Sequence, residues 1–140
     1  MSGRDDTLPL RHVLTVPTVP ASVRLVRETA EMTFAEWGIG ASHPAVGPAL
    51  LVLSELVTNS VRHAAVTSAS LTVTFASGTS ALALAVHDRH PYHPGICAVP
   101  GDDRGGLAAV AEVTASSGGT CVVRRDADGG GKAVWITLPL

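Results

Sequence analysis

The chain has 140 residues, 46% of them hydrophobic and only 16% charged, which is one domain's worth of sequence and too apolar for wholesale disorder. No apolar run approaches the roughly 18 residues that span a bilayer, and neither a glycine triplet period nor sustained heptads appear, which excludes collagen-like and coiled-coil readings. A net charge of −2, a pI near 6.3 and a single lysine, Lys132, set it apart from dedicated nucleic-acid binders, whose domain pI usually exceeds about 9.

Residues 1–9 read as a polar, frayed leader, and residues 10–140 as one domain. Residues 10–16 alternate as a first strand, closed by Pro17 and Pro20. Val23, Val26, Ala30, Phe34 and Trp37 then recur at spacings of three and four, which predicts an amphipathic helix over 21–37 ended by Gly38 and Gly40. Ser42 is the expected N-cap of a second helix, with Pro44 in its first turn, running to about residue 65. Residues 70–76 and 81–87 form the arms of a hairpin turning at 77–80. Residues 88–104 hold three prolines and no period, a loop of about 17 residues of the kind usually reserved for function. A third helix is expected over 105–117, then strands at 120–124 and 133–138 joined through 126–131. Strands joined mostly as hairpins and clustered between helices predict an α+β domain: one mixed sheet with helices on one face.

Three segments invite chemistry. In the second helix, Val46, Leu50, Leu53, Val57 and Ala64 share one side, while Glu55, Asn59, Arg62 and His63 gather opposite. Glu55 and Asn59, four apart, are stacked neighbours. A carboxylate beside an amide can orient a hydroxyl and complete a Mg²⁺ shell, although a polar face opposite an apolar one is also the default of any surface helix. Asp88 follows a buried strand, where an Asp either starts a turn or serves as a partly buried acceptor for an exocyclic amine. Arg104-Gly105-Gly106-Leu107 enters a helix, and glycines there let backbone approach a phosphate; taken alone, a Gly pair is equally a plain helix entry. His87, His90, His93 and Cys97 raise zinc, but no Cys-x-x-Cys pair accompanies them and four well-placed ligands are needed. Cys97 and Cys121, the only cysteines, make no disulfide framework. A Ser-His-Asp hydrolase lacks its G-x-S-x-G elbow. The polar start has no apolar signal region, so a cytoplasmic location is expected.

The order and spacing of these segments carry more than each alone. Residues 55–64, Glu-Leu-Val-Thr-Asn-Ser-Val-Arg-His-Ala, closely resemble the N-box of the GHKL (histidine-kinase-like) ATPase superfamily, in the branch of anti-sigma factor serine/threonine kinases. Asp88 sits where that family has its G1 box, and residues 104–110 where it has its G2 box. Residues 131–136 look like the last strand of short actinobacterial regulators of this type.

The resemblance implies a Bergerat-type fold that binds ATP and Mg²⁺ between helices and the long loop, here 89–103. Asn59 would ligate Mg²⁺, and Glu55 would act as general base or orient the attacking hydroxyl. Asp88 would accept from the adenine amine, and Arg104, Gly105, Gly106 and Leu107 would approach the phosphates; Arg62 and His63 would lie close to the site. Phosphoryl transfer asks mainly for positioning and charge neutralisation, so a single lysine is no obstacle. The implied activity is a protein kinase that phosphorylates a Ser/Thr of an anti-anti-sigma (STAS-type) antagonist and sequesters a sigma factor. No direct nucleic acid or membrane contact is implied, and a homodimer is left open. Three departures stand out. Asp88 is followed by Arg89-His90-Pro91 instead of the glycine-rich run, Arg104 replaces the first G2 glycine, and Ala133 stands where relatives place an adenine-recognising Thr or Ser. They motivate an alternative, a catalytically degenerate module that regulates a transcription factor by protein contact with weak or no ATP binding; a third possibility is a domain of this kind serving a different regulator pair, such as a helix-turn-helix protein.

Overall fold

Among the described residues eight elements follow the expected order: β1 (Leu10–Pro17), α1 (Ala21–Glu36), α2 (Val46–Ala64), β2 (Ser70–Ser77), β3 (Ala81–Asp88), α3 (Leu107–Ser116), β4 (Thr120–Arg125) and β5 (Lys132–Pro139). The structure, a computed structural model, describes residues 8–90 and 107–140. Most of the expected leader and of the long loop therefore lies outside the described residues.

Helix α1 starts directly after Pro20, whose φ of −55° is already helical. It stops where Gly38 takes a left-handed φ of +82°, which turns the Ile39 N–H back onto the Phe34 carbonyl at 2.8 Å. Helix α2 does not start at Ser42 as expected. Residues 41–45 are spent on turns, and Ala45 occupies the N-cap position with no side-chain cap. The Ala45 N–H instead donates to His43 Nδ1 at 3.0 Å.

The strands form one sheet in the order β1-β2-β3-β5-β4. Every pairing in it is antiparallel, which corrects the expected mixed sheet. The crossover through α3 does leave β4 parallel to β3, but β5 fills the gap between them and runs opposite to both.

Strand alternation sorts the side chains by face. Leu71, Val73 and Phe75 of β2, Leu82, Leu84 and Val86 of β3, and Val134, Ile136 and Leu138 of β5 point to one side. They merge with Val26 and Phe34 of α1, Leu53 and Val57 of α2 and Val110 of α3 in a single core. Phe34 meets Phe75 edge-on at 5.6 Å between ring centroids, a contact that adds about 0.5–1.5 kcal/mol beyond the area it buries. All three helices thus back one face. Helix α2 is central, touching α1, α3 and β3, so residues on both its flanks are covered.

Candidate functional site

Asp88 is the last residue of β3 and shares the phase of Leu82, Leu84 and Val86, so its side chain points into the helix-backed face. It is 2% exposed. A carboxylate this buried needs partners, and three elements supply them. Ser60 Oγ of α2 donates to Oδ2 at 2.7 Å. Lys132 Nζ, at the head of β5 and directly opposite Asp88 in register, donates to Oδ1 at 2.6 Å. The His90 backbone N–H donates to Oδ1 at 3.1 Å. Just beyond, Ser68 Oγ accepts the Arg89 N–H at 2.9 Å and donates to the Ser70 carbonyl at 2.8 Å, which fixes the course of the chain leaving Asp88.

Neither Ser60 nor Lys132 was singled out from the sequence as a site residue. The signal for Lys132 is present there: it is in phase with Val134, Ile136 and Leu138, which places the chain's only lysine on an apolar face. The same period corrects the expectation for Ala133. Its side chain falls on the outer face, paired with His87, so the residue that faces Asp88 is Lys132.

Helix α2 brings part of the expected polar face inward. Asn59, immediately before Ser60, is 6% exposed, and its Oδ1 is buried without a hydrogen-bond partner among the described residues. An unsatisfied buried acceptor costs about 1–3 kcal/mol. Glu55, one turn earlier, is half-buried. Arg62 and His63 lie exposed in the last turn. Because α3 and β3 both pack against α2, its buried arc is wide enough to take in Asn59 but not Arg62. Arg104, Gly105 and Gly106 lie outside the described residues; Leu107 opens α3, and its side chain lies outside them too.

A second polar group borders Asp88 on the opposite side of the sheet. His87 Nε2 is 2.9 Å from both carboxylate oxygens of Asp126. Arg89 donates to Asp126 through NH1 and to Asp128 through NH2 at 3.0 Å. The hydrogen bond from His87, and after it that from Arg89, hold the Asp126 carboxyl below its ordinary range against the opposing effect of burial. Arg89 and the Gly130 N–H lower Asp128 in the same way. His87 is thus committed to Asp126, His93 and Cys97 lie outside the described residues, and among those described no three His, Cys, Asp or Glu side chains gather as metal ligands. None of the described helices is long and apolar enough to cross a membrane.

The fold is shared with solved structures of two signalling proteins. It is similar to the crystal structure of the RsbU and RsbW domains of Rv1364c from Mycobacterium tuberculosis, with a TM-score of 0.64 at 23% identity over 93% of this chain. It is also similar to the histidine kinase domain of the blue-light activated histidine kinase EL346 from Erythrobacter litoralis, with a TM-score of 0.54 at 22% identity over 89% of this chain. The chain spans 33% of the length of the first and 62% of the second. At these identities the likeness establishes the fold. No family model matches the chain, and no curated protein sequence matches it.

Proposed function

We propose that this protein is an ATP-dependent regulatory kinase that transfers the γ-phosphate of ATP to a Ser or Thr hydroxyl of an antagonist protein of the anti-anti-sigma (STAS) type, and that it holds a sigma factor or another transcription regulator. The observation that carries the reading is the buried Asn59 Oδ1, left without a partner one helical turn after Glu55 and one residue before the Ser60 that anchors Asp88. A buried amide oxygen without a donor suits a hard cation, so the residues present fit Mg²⁺, which when bound neutralises phosphate charge. Among the described residues Asp88 Oδ2 accepts from Ser60 alone and keeps room for one further donor, as an exocyclic amine requires.

In this reading Asn59 ligates the cation and Asp88 accepts from the adenine amine. Glu55 takes the proton of the attacking hydroxyl as its oxygen bonds to the γ-phosphorus and the bond to the β-phosphate oxygen breaks, leaving ADP. The phosphate role falls by motif position to Arg104, Gly105 and Gly106, just before α3 in sequence. Arg62 and His63 support the end of α2.

A second reading, a regulatory module that keeps the fold without the chemistry, draws on the Lys132 contact: an ammonium already occupies part of the Asp88 carboxylate. Calorimetric titration with Mg-ATP, followed by phosphotransfer assays with radiolabelled ATP and candidate STAS-type partners, separates the two. The kinase reading expects micromolar binding and transfer that Glu55→Ala abolishes. Silence at millimolar nucleotide favours the module, and binding with transfer unaffected by Glu55→Ala removes Glu55 from its role.

A further inference from the structure

Counting hydrogen-bond capacity around Asp88 gives Lys132 a role beyond charge balance. A carboxylate offers about four acceptor positions and an ammonium three donors. Asp88 Oδ1 is filled by Lys132 Nζ and the His90 N–H. Asp88 Oδ2 holds only Ser60 Oγ. Lys132, with a side chain 7% exposed, spends one N–H on Asp88, and among the described residues no other partner accepts from its ammonium. Two donors of a buried ammonium and one acceptor position of the adjoining carboxylate are therefore outstanding together. Buried polar groups are normally satisfied, so the pair is short of a ligand that presents an acceptor beside a donor.

We propose that Lys132 is a specificity-determining residue that donates to the ring nitrogen of a bound base, so that Asp88 and Lys132 together read an amidine edge, the N6 amine and N1 of adenine. The inference rests on the nucleotide reading above and deepens it. It also accounts for base choice. Guanine presents two adjacent N–H donors beside its O6 acceptor, and with Oδ1 filled, Asp88 has only one position to receive them.

The test compares binding of Mg-ATP with that of 1-deaza-ATP, which keeps the amine and lacks N1, and of GTP, by calorimetry on the full chain. Hydrogen bonds to charged groups set the expected preference for ATP over 1-deaza-ATP at about 10- to 100-fold. In Lys132→Met that ratio falls to about one while the wild type keeps it, the pattern of a lost pairwise interaction. Should Lys132→Met fail to fold by circular dichroism, a crystal structure of the wild type with ATP decides: Lys132 Nζ within about 3.2 Å of N1 is expected. Wild-type protein that binds ATP and 1-deaza-ATP alike, or a complex with Nζ bonded only to Asp88, overturns this inference and leaves the nucleotide reading standing. Failure to bind any of the three nucleotides overturns both.

Discussion

Gly131 and Asp88 approach so closely that no side chain fits at position 131. A Cβ there would lie 2.6 Å from the Asp88 carbonyl oxygen and 2.5 Å from Asp126 Oδ2. Gly131→Ala must push β5 away from β3 at the point where Lys132 meets Asp88. The expected cost is on the order of 1–3 kcal/mol, as for overpacking in other well-packed sites, together with weakened nucleotide binding. Gly40→Ala is the control, since a Cβ there meets nothing within 4 Å. Urea unfolding of both variants checks this, and equal stabilities for the two would refute it.

The Asp88–Lys132 pair is the most buried ion pair among the described residues, with side chains 2% and 7% exposed. Removing one partner strands the other as a buried charge, which typically costs about 3–5 kcal/mol, whereas replacing both with apolar or neutral groups is often neutral. Lys132→Met and Asp88→Asn, each alone, are therefore expected to be destabilised, Lys132→Met severely. Asp88→Asn combined with Lys132→Met is expected to regain most of that loss. A double-mutant cycle by chemical denaturation reads the difference, and additive losses would show that the two groups do not stabilise each other.

Much of this was legible in the sequence because local periodicity decides it. The hairpin of β2 and β3 follows from alternation, α1 from its spacing of threes and fours, and Asp88 and Asn59 from their places in motifs. What was hidden depends on register and on neighbours. Lys132 and Asp88 meet only because β5 inserts between β3 and β4, and no local window contains that choice. A shift of one residue exchanges faces, so attention fell on Ala133 where Lys132 was the inward residue. Ser42 has the chemistry of a cap, yet His43 satisfies the Ala45 N–H and the helix starts later. Arg62 and Asn59 look alike on an isolated helical wheel, and only the packing of α2 separates the buried one from the exposed one.

Acid sensitivity should trace in part to Asp126. Its folded pKa is depressed, chiefly by the His87 hydrogen bond and then by Arg89. A depressed carboxylate stabilises the fold above its unfolded value, near 3.9, and loses that contribution as pH falls through the lower folded value. The stability advantage of wild type over Asp126→Asn is expected to shrink as pH falls from about 5 toward 3. The group is partly exposed, so the effect should also diminish at high salt. Urea midpoints measured across this range test it, and a gap that does not change with pH would exclude a titrating Asp126 as its source.

Asn59 offers the sharpest separation of function from stability. A residue kept for packing loses stability when replaced, whereas a residue kept for a ligand can gain it. Asn59 Oδ1 is buried with no donor, a state that costs about 1–3 kcal/mol. Leucine is close in shape and removes that polar oxygen. Asn59→Leu without nucleotide is therefore expected to be as stable as wild type or more so, by about 1 kcal/mol, the usual yield when a buried polar atom loses its desolvation cost. The same variant should lose the Mg²⁺-dependent part of ATP binding, measured as the difference between titrations with Mg²⁺ and with chelator. A variant that is clearly destabilised yet binds Mg-ATP normally would make Asn59 a structural residue and move the cation elsewhere. A stable variant with normal binding would remove the cation from α2 altogether. Only the combination of retained stability and lost metal dependence matches an amide oxygen held ready for an ion.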